Sequence, residues 1–231
     1  MRIAVILATY QRPDGKTPEY LTRALDSIMA QTHQDFQIYV IGDNYTDKDE
    51  LANIVRTYPV KWINLPTAVE RDKYPHGDYR LYCAGGVNAG LVGVKLALKD
   101  GFEYCCHMDH DDWWDPEHLE QINKVIEDKN PVFVCTLSTC LKRVLPAYPK
   151  SNEVLEYYPE PCGMICSSAC IKYSDTKIRA RDCFDYGLAP YPADADLWAR
   201  LAQEMRETGK KGYLITSLSC HHEEEGYSLK K

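Results

Sequence analysis

Met108-Asp-His-Asp-Asp-Trp-Trp-Asp-Pro116 sets four carboxylates within seven residues, directly behind the strand-like run Glu103 to Met108. Carboxylates repel one another and gain nothing from a packed core, so a cluster at a strand end calls for a turn or a ligand. Asp115 with Pro116 reads as the opening of a helix that carries Leu119, Ile122 and Ile126 on one face. That leaves Asp109, Asp111 and Asp112 unexplained. At the carboxyl edge of a parallel sheet, where α/β proteins bind ligands, such a group suits a hard divalent cation bridging to phosphate oxygens.

Outward from this segment, strand and helix signals alternate, the pattern of a mostly parallel, Rossmann-like sheet covered by helices on both faces. Ile3 to Ala8 is a continuous apolar run, as expected of a doubly buried strand. A helix follows with Thr17 as N-cap, Pro18 at its first position and Leu21, Leu25, Ile28 and Met29 in one stripe. Phe36 to Ile41 and Val60 to Leu65 read as strands, with a short helix over Glu50 to Tyr58 between them. Residues 66–86 hold Pro66, Pro75, Gly77, Gly85 and Gly86, and are expected to form a loop bordering a ligand. A helix over Val87 to Lys99 ends at Gly101, residues 131–191 are strand-rich and irregular, and Asp196 to Thr208 forms a last helix before the strand Tyr213 to Cys220.

At 231 residues the chain has ample length for one large α/β domain. Lys and Arg total 27 against 34 Asp and Glu, a net charge of -7 without a basic block, so no nucleic-acid partner is expected. No apolar run reaches the roughly 18 to 20 residues of a bilayer span, and Met1-Arg2 leads straight into Ile3-Ala-Val-Ile-Leu7. The expectation is a soluble, cytoplasmic protein with no transmembrane segment. The ten cysteines sit mostly in apolar runs and read as reduced, buried thiols. Zinc is disfavoured, because adjacent Cys105 and Cys106 point to opposite faces of a strand and no C-x-x-C pair exists.

Two further strand ends carry useful groups. In Ile38-Tyr-Val-Ile-Gly-Asp-Asn-Tyr-Thr-Asp47, Asp43 can accept hydrogen bonds from a nucleobase imide or a ribose hydroxyl, or simply cap the turn. Ala8-Thr-Tyr-Gln-Arg12 offers a ring for stacking and a guanidinium for phosphate, a combination also common on ordinary surfaces.

In order, these segments resemble glycosyltransferase family 2 over nearly the whole chain. The resemblance rests on Thr9-Tyr10 with Arg12, on the helix run Leu21-Thr-Arg-Ala-Leu-Asp-Ser-Ile-Met-Ala-Gln-Thr32, and on the strand Asp35 to Ile41. It continues through Gly42-Asp-Asn-Tyr-Thr-Asp47, which keeps the second Asp of the family's Asp-Asp-Gly-Ser-x-Asp turn. Gly86-Val-Asn-Ala-Gly90 matches at Asn88 and Gly90 but has Val87 where an arginine is usual. Asp109-His-Asp-Asp112 with Pro116 and Leu119 matches the acidic motif, and Ala193-Asp-Ala-Asp-Leu-Trp-Ala-Arg200 matches a late motif apart from Ala193 in place of Glu. His221-His222 stands where members often place a histidine after the last core strand.

The resemblance implies one GT-A domain over residues 1–231, with a nucleotide-sugar half at about 1–118 and an acceptor half with a small subregion at about 119–231. It implies inverting transfer from a nucleotide diphosphate sugar, foremost a UDP-sugar because Asp43 matches the family's uracil-binding Asp, to a hydroxyl of a glycan or other acceptor. Mn2+ or Mg2+ is the implied cofactor, held by Asp111 and, with less support, by His222. Thr9, Tyr10, Arg12, Asn88, Asp109 and His110 are the implied donor contacts, with Arg71 or Arg80 replacing the missing arginine. Asp194 takes the place of the general base, although an Asp ahead of a helix is also a good N-cap. Trp198 and Arg200 read better as packing and surface pairing, and the histidine pair ahead of Glu223-Glu-Glu225 reads equally as a solvated tail. Val87 and Ala193 leave open a non-catalytic nucleotide- or carbohydrate-binding module of the same fold. A sugar nucleotidyltransferase is the remaining alternative, but Ala8 to Arg12 lacks its glycine-rich start.

Overall fold

The computed structural model describes residues 1–188 and 192–223, so Glu224, Glu225 and residues 189–191 of the irregular stretch lie outside the described residues. The first half runs β1 (Ile3–Thr9), α1 (Thr17–Met29), β2 (Phe36–Gly42), α2 (Lys48–Val55), β3 (Val60–Asn64), α3 (Val69–Lys73), α4 (Tyr79–Ala84), α5 (Val87–Lys99) and β4 (Tyr104–Asp109). The rest comprises β5 (Trp113–Trp114), α6 (His118–Lys129), β6 (Phe133–Cys140), β7 (Arg143–Leu145), β8 (Val154–Glu156), β9 (Ala169–Lys172), α7 (Ala193–Thr208) and β10 (Gly212–His221).

One sheet holds all the strands in the order β3-β2-β1-β4-β9-β6-β10-β5, with β7 beside β6 and β8 beside β10. β1 is buried on both faces because it lies between parallel β2 and β4 and is covered above and below. Ile3, Val5 and Leu7 pack with Leu21, Leu25, Ile28, Leu119 and Ile122 of α1 and α6. Ala4 and Ile6 pack with Val94 and Ala97 of α5, in a cluster that also takes in Trp198 and Leu201 of α7. Cys106 joins the first cluster and Cys105 the second, as strand alternation requires. None of the ten cysteines forms a disulfide among the described residues; Cys162 is exposed, and Cys140 and Cys166 are half-buried.

The sheet is more mixed than a reading of alternating helices and strands predicts. β9 runs antiparallel to both β4 and β6, while β6 and β10 are parallel. β9 enters from the irregular stretch after β8 and not from a helical crossover, so nothing forces it parallel. Residues 66–86 also differ, holding the short helices α3 and α4. Thr17 does not cap α1: its hydroxyl accepts the Arg12 N–H at 2.8 Å and donates to the Tyr10 carbonyl at 3.0 Å, tying the β1–α1 loop instead. α6 starts at His118, and α7 starts at Ala193, which brings Asp194 inside its first turn. Among the described residues, Tyr79–Lys99 has the length and apolar composition of a membrane span. Here it is two helices broken at Gly85-Gly86, the second packed against β1 and β2.

That packing needs Gly93, where an added Cβ would run into Ile6 Cγ2 beneath it. Gly93→Ala is expected to cost about 1–3 kcal/mol by overpacking, lowering the urea midpoint with little change in the slope. An unchanged midpoint would show that α5 lifts freely from the sheet.

Candidate functional site

From β1 the chain moves outward to β2 and β3, then returns through α5 to β4 on the other flank of β1. This reversal opens a crevice at the carboxyl ends of β1 and β4, the usual ligand position of such sheets. A cleft of about 520 Å³ occupies it. β1 contributes Thr9, with Tyr10 and Arg12 just beyond it; Asp43 follows β2 directly; and β4 ends in Asp109, with His110 and Asp111 in the loop after it. Arg71 of α3 and His222, after β10, complete the predicted residues found on its wall.

Asp43 is 3% exposed at the end of β2. Its Oδ2 accepts from Arg71 Nε at 2.9 Å, while Oδ1 is buried with no hydrogen-bond partner among the described residues. Burial raises its pKa, and the Arg71 guanidinium works against that rise. Arg71 lies over the Tyr10 ring at 3.5 Å, and His110 meets the same ring edge-on at 5.0 Å. Thr9 is a support, its hydroxyl 2.6 Å from Tyr45 Oη. The side chain of Asn64 bonds both backbone groups of Tyr45, which fixes the turn that carries Asp43.

Asn88 and Arg80 lie outside the lining of this cleft. Asn88 donates its backbone N–H to Glu70 Oε1 at 2.9 Å, so a buried carboxylate of this chain answers the positive end of α5. Arg80 is half-exposed, paired with Asp78 at 2.6 Å.

The acidic segment is held from three sides. Gln31 at the end of α1 donates to the Asp115 carbonyl and accepts from the Leu119 N–H. Arg23 donates to the Asp111 carbonyl at 2.7 Å and stacks 4.2 Å over Trp113. Fully buried Asp112 meets His222 Nδ1 at 2.6 Å. Burial disfavours charge on His222, but Asp112, Asp111 and Asp109 outweigh it and raise the pKa of the imidazole. Asp109 opens to the cleft, yet its deep position and its neighbours Asp112 and Asp111 push its carboxyl well above the usual range. Asp111 Oδ2 lies 3.4 Å from Arg12. Among the described residues no three His, Cys, Asp or Glu side chains converge as a ready cage for a cation.

Behind Asp109 lies an inner cavity of about 210 Å³, which shares Ala8, Tyr82, Gly85, Gly86 and Asp109 with the cleft. Asp194 borders it. The Asp194 carboxyl accepts from the Ala195 N–H at 2.7 Å, and burial raises its pKa. Asp196, two residues on and on the opposite side of α7, accepts from both Arg181 and Arg200, and Trp198 is fully buried, so these residues hold α7 in place. Glu70, Tyr45, Arg23 and the inner cavity's Tyr173 carry no local motif in the sequence, and His107 is marked only as a polar residue inside an otherwise apolar strand.

The family model for glycosyl transferase family 2 matches residues 4–162. R139 of Acanthamoeba polyphaga mimivirus, an uncharacterized glycosyltransferase, is 29% identical over 98% of this chain and 95% of its own length. Succinoglycan biosynthesis protein ExoW of Rhizobium meliloti is 31% identical over 51% of this chain and 32% of its own. Among solved structures, S. aureus TarS 1-349 in complex with UDP superposes with a TM-score of 0.66 at 15% identity, covering 96% of this chain. Its complex with UDP-GlcNAc gives the same score and coverage. The chain spans 60% and 58% of those two TarS chains, and at this identity the likeness is one of fold.

Proposed function

This chain belongs to glycosyl transferase family 2, and from that premise we propose that it moves a sugar from uridine diphosphate to an acceptor hydroxyl, with inversion, at the crevice between β1 and β4. The observation that carries the choice of nucleotide is Asp43. A buried carboxylate oxygen without a partner, on the wall of a cleft, is costly unless a ligand donor meets it. The uracil imide N–H is such a donor, and the Tyr10 and Arg71 pair beside it offers a flat surface for the base. The TarS complexes with UDP and UDP-GlcNAc support the same class of donor.

The oxygen donors on the cleft wall fit a hard cation. Mg2+ and Mn2+ sites of this kind use one or two carboxylates and take further oxygens from the substrate's phosphates, so no closed protein cage is required. Asp111, with Asp109, would hold the cation, and His222 would support them through Asp112. When bound, the cation neutralises charge growing on the diphosphate leaving group. Arg12 and Arg71 reach the same cleft as fixed positive charges. Asp194 accepts the acceptor's hydroxyl proton as that oxygen attacks the anomeric carbon and the bond to the diphosphate breaks.

Calorimetric titration with UDP in the presence of manganese tests this reading. The parent should bind, and Asp43→Ala should lose about 1.5–3 kcal/mol, roughly 10- to 100-fold in affinity, at unchanged melting temperature. Equal affinity in the folded variant would mean that the base is recognised elsewhere.

A further inference from the structure

We infer that the inner cavity seats the transferred sugar and that the His107–Tyr173 pair on its wall selects an uncharged one, an inference that rests on the nucleotide-sugar reading above. Cys105, His107 and Asp109 share one face of β4, so His107 sits one step below the carboxylate that separates the two cavities. A histidine at this depth needs a bonded partner, and its Nε2 lies 2.8 Å from Tyr173 Oη, brought from just beyond β9. Beyond that mutual bond a neutral imidazole and a phenol keep one donor and one acceptor between them, which suits a sugar hydroxyl or an acetamido group. Much of the remaining wall is apolar, including Ile6, Val94 and Leu197.

Size and charge point the same way. At about 210 Å³ the cavity is below the roughly 300–1,000 Å³ typical of pockets for larger ligands, and it adjoins the cleft where the diphosphate would end. Asp194 borders it, which places the proposed base beside a sugar carbon held there. Asp109 and Asp194 both face it, so a carboxylate on the sugar would meet two acidic side chains in place of a cationic partner. Arg179 also reaches this wall, but its guanidinium donates to the carbonyls of Tyr173, Thr176 and Ile178 and props the loop that carries Tyr173.

The test is titration of the full chain, with manganese, against UDP, UDP-glucose, UDP-N-acetylglucosamine and UDP-glucuronic acid. At least one neutral sugar nucleotide should bind about 10-fold or more tighter than UDP-glucuronic acid. Tyr173→Phe and His107→Phe should each shrink that margin about five-fold or more while UDP affinity stays within about two-fold. The variants separate the two uncharged classes by which margin falls. Tyr173→Phe keeps the ring and carries the test if His107→Phe fails to fold. Preference for UDP-glucuronic acid, or a margin unmoved in the folded variants, overturns the inference while UDP binding stands. A parent that binds no UDP overturns the nucleotide reading and this inference with it.

Discussion

Asp194→Asn is expected to slow sugar transfer by at least about 100-fold at parental donor affinity and melting temperature. The position of Asp194 separates this outcome from a structural role. α7 begins at Ala193 with Pro192 ahead of it, so Asp194 is no N-cap, and its carboxyl accepts from the neighbouring Ala195 N–H. Asparagine retains an acceptor oxygen for that bond but does not take up a proton. Burial raises the Asp194 pKa, so above the ordinary carboxylate range its ionised form favours the unfolded chain. The amide removes that penalty, and the melting temperature should hold or rise slightly at neutral pH. The parent's kcat/KM should climb with pH through this raised pKa, and the variant should lose that acid limb. Near-parental turnover with the true acceptor would strike Asp194 from the mechanism and leave Asp109, on the same cavity, as the next carboxylate.

In Asp111→Asn, manganese should no longer tighten UDP binding. Asp111 is the half-buried acid of the β4–β5 loop that lines the cleft, and the Arg23 bond to its carbonyl keeps the loop in place whatever side chain it carries. Without metal, a carboxylate facing a diphosphate repels it, so the variant should bind UDP as well as the metal-free parent or better. With metal, the parent should gain affinity and the variant should not. If manganese strengthens UDP binding equally in both, the cation is held by other groups.

The strand ends were legible because each is a local pattern: an apolar run halted by Asp43 or Asp109 is visible within ten residues. The same holds for α5 and its glycine stop. Tertiary partners were not legible. The tie from Glu70 to Asn88 depends on how α3 docks under α5, and the His107–Tyr173 bond spans 66 positions of sequence. α3 and α4 are too short to show a helical period. Thr17 was misread because a hydroxyl at a helix start serves a cap and a tertiary loop contact equally well, and only the fold decides between them. Arg80 looked equivalent to Arg71 in a charged loop, yet one pairs with Asp78 and the other with Asp43.

β9 comes late in the chain but lies directly against β4, the strand that leads into the acidic loop. For protein engineering this rules out the obvious cut at about residue 118. A front fragment would expose the edge of β4 and, with α6 gone, uncover Tyr104 and Cys106, leaving an apolar edge of the kind that recruits other chains into aggregates. Exchange of acceptor preference between relatives should therefore graft surface loops of the irregular stretch onto an intact sheet and leave Ala169–Lys172 where it is.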